Sequence, residues 1–84
     1  MAFPLKIVSP TKVVFDEPID KLNVVTSAGE LTILPHHTPL ISTLKKDGRI
    51  SVFIKGNRKD FYATSGVLTV KEKETIIIVE KIVS

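Results

Sequence analysis

Turn-forming residues punctuate this chain at intervals of roughly eight to twelve positions, and short runs rich in Val and Ile fill the gaps. That spacing dictates β structure. No window of about twelve residues carries apolar side chains at i, i+3, i+4 and i+7 with a cap and without Gly or Pro. Leu5, Ile7 and Val8 begin a first strand, ended by Ser9-Pro10-Thr11. Val13-Val14-Phe15 reads as a short second strand closed by Asp16-Glu17-Pro18, and Ile19, Leu22 and Val24-Val25 as a third. Leu31 and Ile33 share one face of a fourth, because side chains alternate along extended backbone. Leu40-Ile41 and Leu44 begin another, cut by Asp47-Gly48, a strong hairpin pair. Ile50, Val52 and Ile54 then alternate with Ser51, Phe53 and Lys55 before a turn at Gly56-Asn57. Phe61-Tyr62-Ala63, Val67-Leu68-Thr69-Val70 and Thr75-Ile76-Ile77-Ile78-Val79 complete the meander, separated by Ser65-Gly66 and the charged turn Lys71-Glu72-Lys73-Glu74. The expected fold is all-β, a thin two-layer sandwich in which each sheet buries one face.

With 84 residues the chain makes one domain, residues 1–84, with no internal repeat and no linker. It buries only ~60–65% of its unfolded surface, so the core is thin. There is no cysteine, which excludes disulfides, zinc fingers and thiol chemistry. No apolar run approaches the roughly 20 residues that span a bilayer. The opening Met1-Ala2-Phe3-Pro4-Leu5-Lys6 has no basic region followed by an apolar stretch, so no signal peptide is expected and the cytoplasm is the default compartment.

The formal net charge is +3. Lys45, Lys46, Arg49, Lys55, Arg58 and Lys59 crowd one stretch, opposed only by Asp47. Such a cluster steers a protein toward nucleic acid, anionic lipid or an acidic partner, or simply keeps a hairpin face solvated. Phe53, Phe61 and Tyr62 lie amid it, as base stacking would need. A small basic nucleic-acid-binding β-barrel is therefore one functional reading, and a generic protein-interaction sandwich is another.

Chemistry is poorly provided for. His36-His37 is the one candidate metal or acid–base pair, yet adjacent residues on extended backbone diverge and chelate poorly. No strand–turn–helix elbow presents an activated hydroxyl. Asp16-Glu17 reads as a solvated turn, and the scattered glycines open no phosphate loop. No catalytic, cofactor or metal residue is assigned, and the chain is not expected to be an enzyme.

The most individual stretch is Gly29-Glu30-Leu31-Thr32-Ile33-Leu34-Pro35-His36-His37-Thr38-Pro39-Leu40-Ile41, a strand broken by a turn with two prolines and two histidines. With Leu5-x-Ile7-Val8-Ser9-Pro10, with Phe15 followed by Lys21-Leu22-x-Val24, and with Phe61-Tyr62-Ala63-Thr64-Ser65-Gly66-Val67-Leu68-x-Val70, it resembles the β-sandwich half of the epsilon subunit of F-type ATP synthases, called delta in mitochondria. The order and spacing of all these segments agree over nearly the whole chain.

The resemblance implies a β-sandwich of about ten short strands at the foot of a rotor's central stalk. It would be a non-catalytic subunit, without cofactor or small-molecule substrate, coupling the turning c-ring to the gamma subunit and so ion flow to ATP synthesis. The implied location is the cytoplasmic face of a bacterial membrane, peripheral through the c-ring, with no direct contact to nucleic acid. By position, Ala28, Gly29, Glu30 and Leu31 fall at the expected c-ring interface, and Ser9, His37, Pro39 and Ser42 at the expected gamma interface. Glu30 would pair with basic c-loop residues, and His37 would be a packed turn residue.

Departures from the pattern carry expectations of their own. His36 stands where many members have glycine or asparagine, which predicts a different turn backbone, and Ser65 replaces a common glycine, which argues against a close backbone approach there. Most bacterial and chloroplast relatives continue into a two-helix C-terminal domain, whereas this chain ends at Ile82-Val83-Ser84. The expectation is a coupling subunit without that helical hairpin, and without the inhibition of hydrolysis and the ATP site that it carries in some members.

Overall fold

A computed structural model describes residues 2–83; Met1 and Ser84, at the two ends of the terminal segments considered above, lie outside the described residues. The strands are β1 (Phe3–Val8), β2 (Val13–Ile19), β3 (Lys21–Thr26), β4 (Gly29–Ile33), β5 (Leu40–Thr43), β6 (Gly48–Ile54), β7 (Asn57–Ala63), β8 (Gly66–Val70), β9 (Thr75–Val79) and β10 (Ile82–Val83). They form two five-stranded sheets, ordered β2-β1-β9-β8-β5 and β10-β7-β6-β3-β4. Pairing is antiparallel throughout except between β1 and β9, which run parallel with Leu5 opposite Thr75 and Val8 opposite Ile78.

The core lies between the sheets. Leu5, Ile7, Ile19, Leu68 and Ile77 of the first sheet meet Leu22, Val24, Ile33, Ile50, Val52 and Phe61 of the second, all essentially removed from water. Phe15 and Phe61 clasp the layers edge-to-face, with ring centroids 6.1 Å apart at 74°, a geometry aromatic pairs prefer.

The chain changes sheet between β2 and β3, β4 and β5, β5 and β6, β7 and β8, and β9 and β10. This corrects the reading of Asp47-Gly48 as a hairpin. β5 belongs to the first sheet and β6 to the second. Leu44 bridges to Thr26, and Lys45 N–H donates to the Val25 carbonyl at 3.0 Å, which draws the chain across. Gly48 N–H then closes on the Lys45 carbonyl at 2.9 Å with Asp47 at φ 56°. Only glycine fits next, since a Cβ there would lie 2.8 Å from that carbonyl oxygen.

Two further boundaries move. Asp16-Glu17-Pro18 does not close β2; Pro18 pairs with Pro4 and the strand runs on to Ile19. β2 is the outer strand of its sheet, where a missing amide donor breaks no ladder. The β6–β7 turn centres on Lys55-Gly56, with φ 50° and 82°, both positive as a tight hairpin of matching twist requires. The Asp20 carboxylate accepts from Lys55 N–H at 2.7 Å and fastens that turn to the β2–β3 corner.

Candidate functional site

The two histidines sit on a turn. Leu34-Pro35-His36-His37 closes through His37 N–H donating to the Leu34 carbonyl at 3.2 Å. Pro35 supplies the fixed φ such a turn wants at its second position, and His36 takes the third with φ 66°. The histidine itself adopts the left-handed conformation that glycine and asparagine accept most readily. His37 Nδ1 lies 2.6 Å from the Thr38 carbonyl oxygen. A carbonyl only accepts, so this nitrogen carries the proton and the ring is tied to its own turn. Among the described residues no three His, Cys, Asp or Glu side chains converge on a metal-sized site.

What the molecule offers instead is two differently coated outer faces. On the first sheet, register aligns Ile41, Thr69, Ile76, Lys6 and Asp16 in one row, and Thr43, Val67, Ile78, Val8 and Val13 in the next. Their strand neighbours Ile7, Leu68 and Ile77 are buried, so alternation turns both rows outward. Large aliphatic side chains consequently face water: Ile41 is 76% exposed, Val13 55% and Ile78 54%. At the β5–β8 edge this face continues into an open, mostly apolar groove of about 480 Å³, lined by Pro39, Leu40, Ile41 and the start of the charged turn. Contiguous exposed aliphatics of this kind mark interaction surfaces.

The positions expected at a gamma interface border this face without meeting at one point. Pro39 lines the groove. Ser42, half-buried, lies on edge strand β5 opposite Leu68. His37 lies on the turn before β5, whereas Ser9 follows β1 at the other end of the sheet, its Oγ bonded to the Lys12 carbonyl at 3.2 Å. The apolar rows run between them.

The β3–β4 hairpin carries the other expected site. Ala28, Gly29 and Glu30 are exposed at its tip, while Leu31 is half-buried and packs against the core. Thr26 Oγ1 donates to the Gly29 carbonyl at 2.7 Å, and Ser27 Oγ lies 2.7 Å from Thr43 Oγ1 in the opposite sheet, so the tip is braced.

From Glu30 a polar ladder spreads over the outer face of the second sheet. Asn23 Nδ2 donates to Glu30 Oε1 at 3.1 Å and to Thr32 Oγ1 at 2.9 Å, and its Oδ1 accepts from Arg49 Nη2 at 3.1 Å. Farther along, Asp60 Oδ1 accepts from Ser51 Oγ at 2.7 Å and Arg58 Nε at 2.8 Å. The Arg58 hydrogen bond, seconded by Ser51, holds the Asp60 carboxyl below its ordinary range, and Asp60 in return raises Arg58. Phe53 lies between cations, with Lys21 Nζ 4.3 Å and the Arg58 guanidinium 5.7 Å from its ring centroid.

The basic cluster of the sequence is thereby dispersed. Arg49 and Arg58 join the ladder, Lys59 lies over the core residue Phe61 at 5.1 Å, and Lys45 and Lys46 occupy the crossover between sheets. Phe61 is buried, Phe53 is already flanked by this chain's own cations, and Tyr62 stays exposed opposite Arg49. The sequence reading allowed for an exposed apolar face toward gamma but did not assign its residues. Its signal was the unbroken Ile76-Ile77-Ile78, too apolar for a strand with one side in water.

Comparison with known proteins points one way. Residues 2–84 match the β-sandwich domain of the ATP synthase delta/epsilon chain. The chain is 36% identical over 76 residues to the ATP synthase epsilon chain of Clostridium novyi, covering 90% of this chain and 58% of that protein. It is 35% identical over 78 residues to the sodium ion specific epsilon chain of Acetobacterium woodii, covering 93% and 59%. The chain thus spans somewhat under two thirds of the length of these relatives. Its fold superposes with a TM-score of 0.90 on a chain in the cryo-EM structure of Euglena gracilis mitochondrial ATP synthase, at 18% identity, over 98% of this chain and 52% of that one. A chain of the Tetrahymena thermophila mitochondrial ATP synthase central stalk and c-ring gives 0.82 at 18% identity, over 100% and 67%.

Proposed function

The chain belongs to the ATP synthase delta/epsilon family through its β-sandwich domain, and we propose from this that it is a non-catalytic central-stalk subunit of an F-type ATP synthase. In this role it couples rotation of the c-ring, driven by proton or sodium flow, to the gamma subunit. It works at the cytoplasmic face of a bacterial membrane and is peripheral to it, held through the ring.

The observation that carries the reading is the pair of unlike surfaces on one rigid body. The aliphatic outer face formed by Ile41, Val67, Ile76, Ile78, Val8 and Val13 suits a stable, dry contact with gamma, bordered by Pro39, Ser42, His37 and Ser9. The braced hairpin tip with Ala28, Gly29 and the exposed carboxylate of Glu30 suits a polar contact with the loops of the ring. Torque transfer needs stiffness between the two contacts, and the sheet-to-sheet bracing of Ser27 against Thr43 supplies it.

A pull-down with the tagged chain from detergent-solubilised membranes of the source organism tests the assignment, at ~0.3 M salt to screen non-specific charge contacts. Recovery of gamma, the catalytic subunits and the c-ring is expected. Recovery of nucleic acid, or of no rotor subunit, would overturn the reading.

A further inference from the structure

We infer that Asn23 and Arg49 are positioning residues that fix the Glu30 carboxylate, engaging Oε1 within the ladder and presenting Oε2 to a cationic side chain on the partner that meets the β3–β4 hairpin. The inference rests on the proposed contact between this hairpin and the c-ring.

Glu30 stands on edge strand β4, and its side chain is 63% exposed. Left alone, such a side chain samples several rotamers and loses that freedom on binding. Here it is not alone. Asn23, on the neighbouring strand, spends its whole amide on this corner, with one N–H on Glu30 Oε1, the other on Thr32 Oγ1, and its carbonyl oxygen toward Arg49. The guanidinium can only donate, so it orients the amide with nitrogen toward the carboxylate. Arg49 also brings Nη2 to 3.9 Å of the same Oε1.

The two contacts that reach the carboxylate, from Asn23 and from Arg49, fall on the same oxygen, Oε1. The Arg49 side chain, 33% exposed, lies along the ladder instead of extending into water. A carboxylate held by one oxygen offers the other, which meets no donor among the described residues. The matching group is a Lys ammonium or Arg guanidinium on a polar loop. A receptor already oriented gives up less rotamer freedom when the partner docks.

The test uses the whole chain in solution together with detergent-solubilised c-ring. Side-chain couplings of Glu30 measured by NMR should report one dominant χ1 rotamer in the wild type and rotamer averaging in Asn23→Ala. Ring affinity should fall about twofold to fivefold for Asn23→Ala and for Arg49→Gln, and neither change should weaken binding further once Glu30→Gln is present. Preserved amide dispersion in each variant guards against loss of fold, and Thr32→Val, which removes only the second bond of Asn23, gives a milder version of the same effect. Rotamer averaging in the wild type, unchanged binding by Glu30→Gln, or additive losses in the double variants would overturn the inference. A wild-type chain that fails to bind the ring at all would instead overturn the coupling role on which it rests.

Discussion

His36 shows how much one backbone angle explains. Its φ of 66° places a branched ring where glycine or asparagine sits at least cost. His36→Gly or His36→Asn should therefore raise stability by up to about 1 kcal/mol, read as a higher urea midpoint with unchanged slope. Gly66 makes the opposite case. A Cβ there would stand 2.5 Å from the Ile78 carbonyl oxygen and 3.1 Å from Leu44 and Val79 side chains, so Gly66→Ala should destabilise by about 1–3 kcal/mol. The sequence reading argued against a close approach at Ser65; that residue is exposed, and the tight site is its neighbour Gly66. A turn pair such as Ser65-Gly66 announces a turn; it does not say which of the two residues the opposite strand crowds.

Strand identity was legible wherever alternation was clean. Ile50, Val52 and Phe61 announced β6 and β7, and Leu68 with Val70 announced β8. Pairing was less so, because Asp47-Gly48 has the chemistry of a hairpin and the geometry of a sheet crossing. What decides it is a long-range tie, Leu44 to Thr26, which no local pattern encodes. The ladder was equally hidden: Asn23 on β3 and Asp60 on β7 meet Arg49 and Ser51 of β6 only through register. It has a pH signature. The Asp60 carboxyl is held below its ordinary value by Arg58, so its contribution is complete above the unfolded-state value of about 4 and is lost as pH falls through the lower folded-state value. Between pH of about 6 and about 2 the wild type should lose more in urea midpoint than Asp60→Asn does. The apolar outer face has its own test in β9. Ile78→Lys should change stability by less than about 1 kcal/mol, since Ile78 is 54% exposed, yet it should abolish recovery of gamma in the pull-down.

At the scale of the whole molecule, the sandwich has an unsatisfied side. A two-layer domain normally coats its outer faces with polar groups, as the second sheet does with its ladder. The first sheet instead turns Val8, Val13, Ile41, Val67, Ile76 and Ile78 outward on one continuous surface. In the proposed rotor that surface is covered; in the isolated chain it is not. Burying apolar area contributes roughly 25 cal/mol per Å², and association through hydrophobic contact is little weakened by salt, unlike contact through the ladder's charges. The isolated chain should therefore self-associate as its concentration rises, with sedimentation coefficients as large at 0.5 M salt, or about that, as at low salt. Ile78→Lys should restore the monomer. Association that fades with salt, or that survives Ile78→Lys, would assign it to the charged face or to a sheet edge, and would remove the reason for reading the first sheet as the docking side.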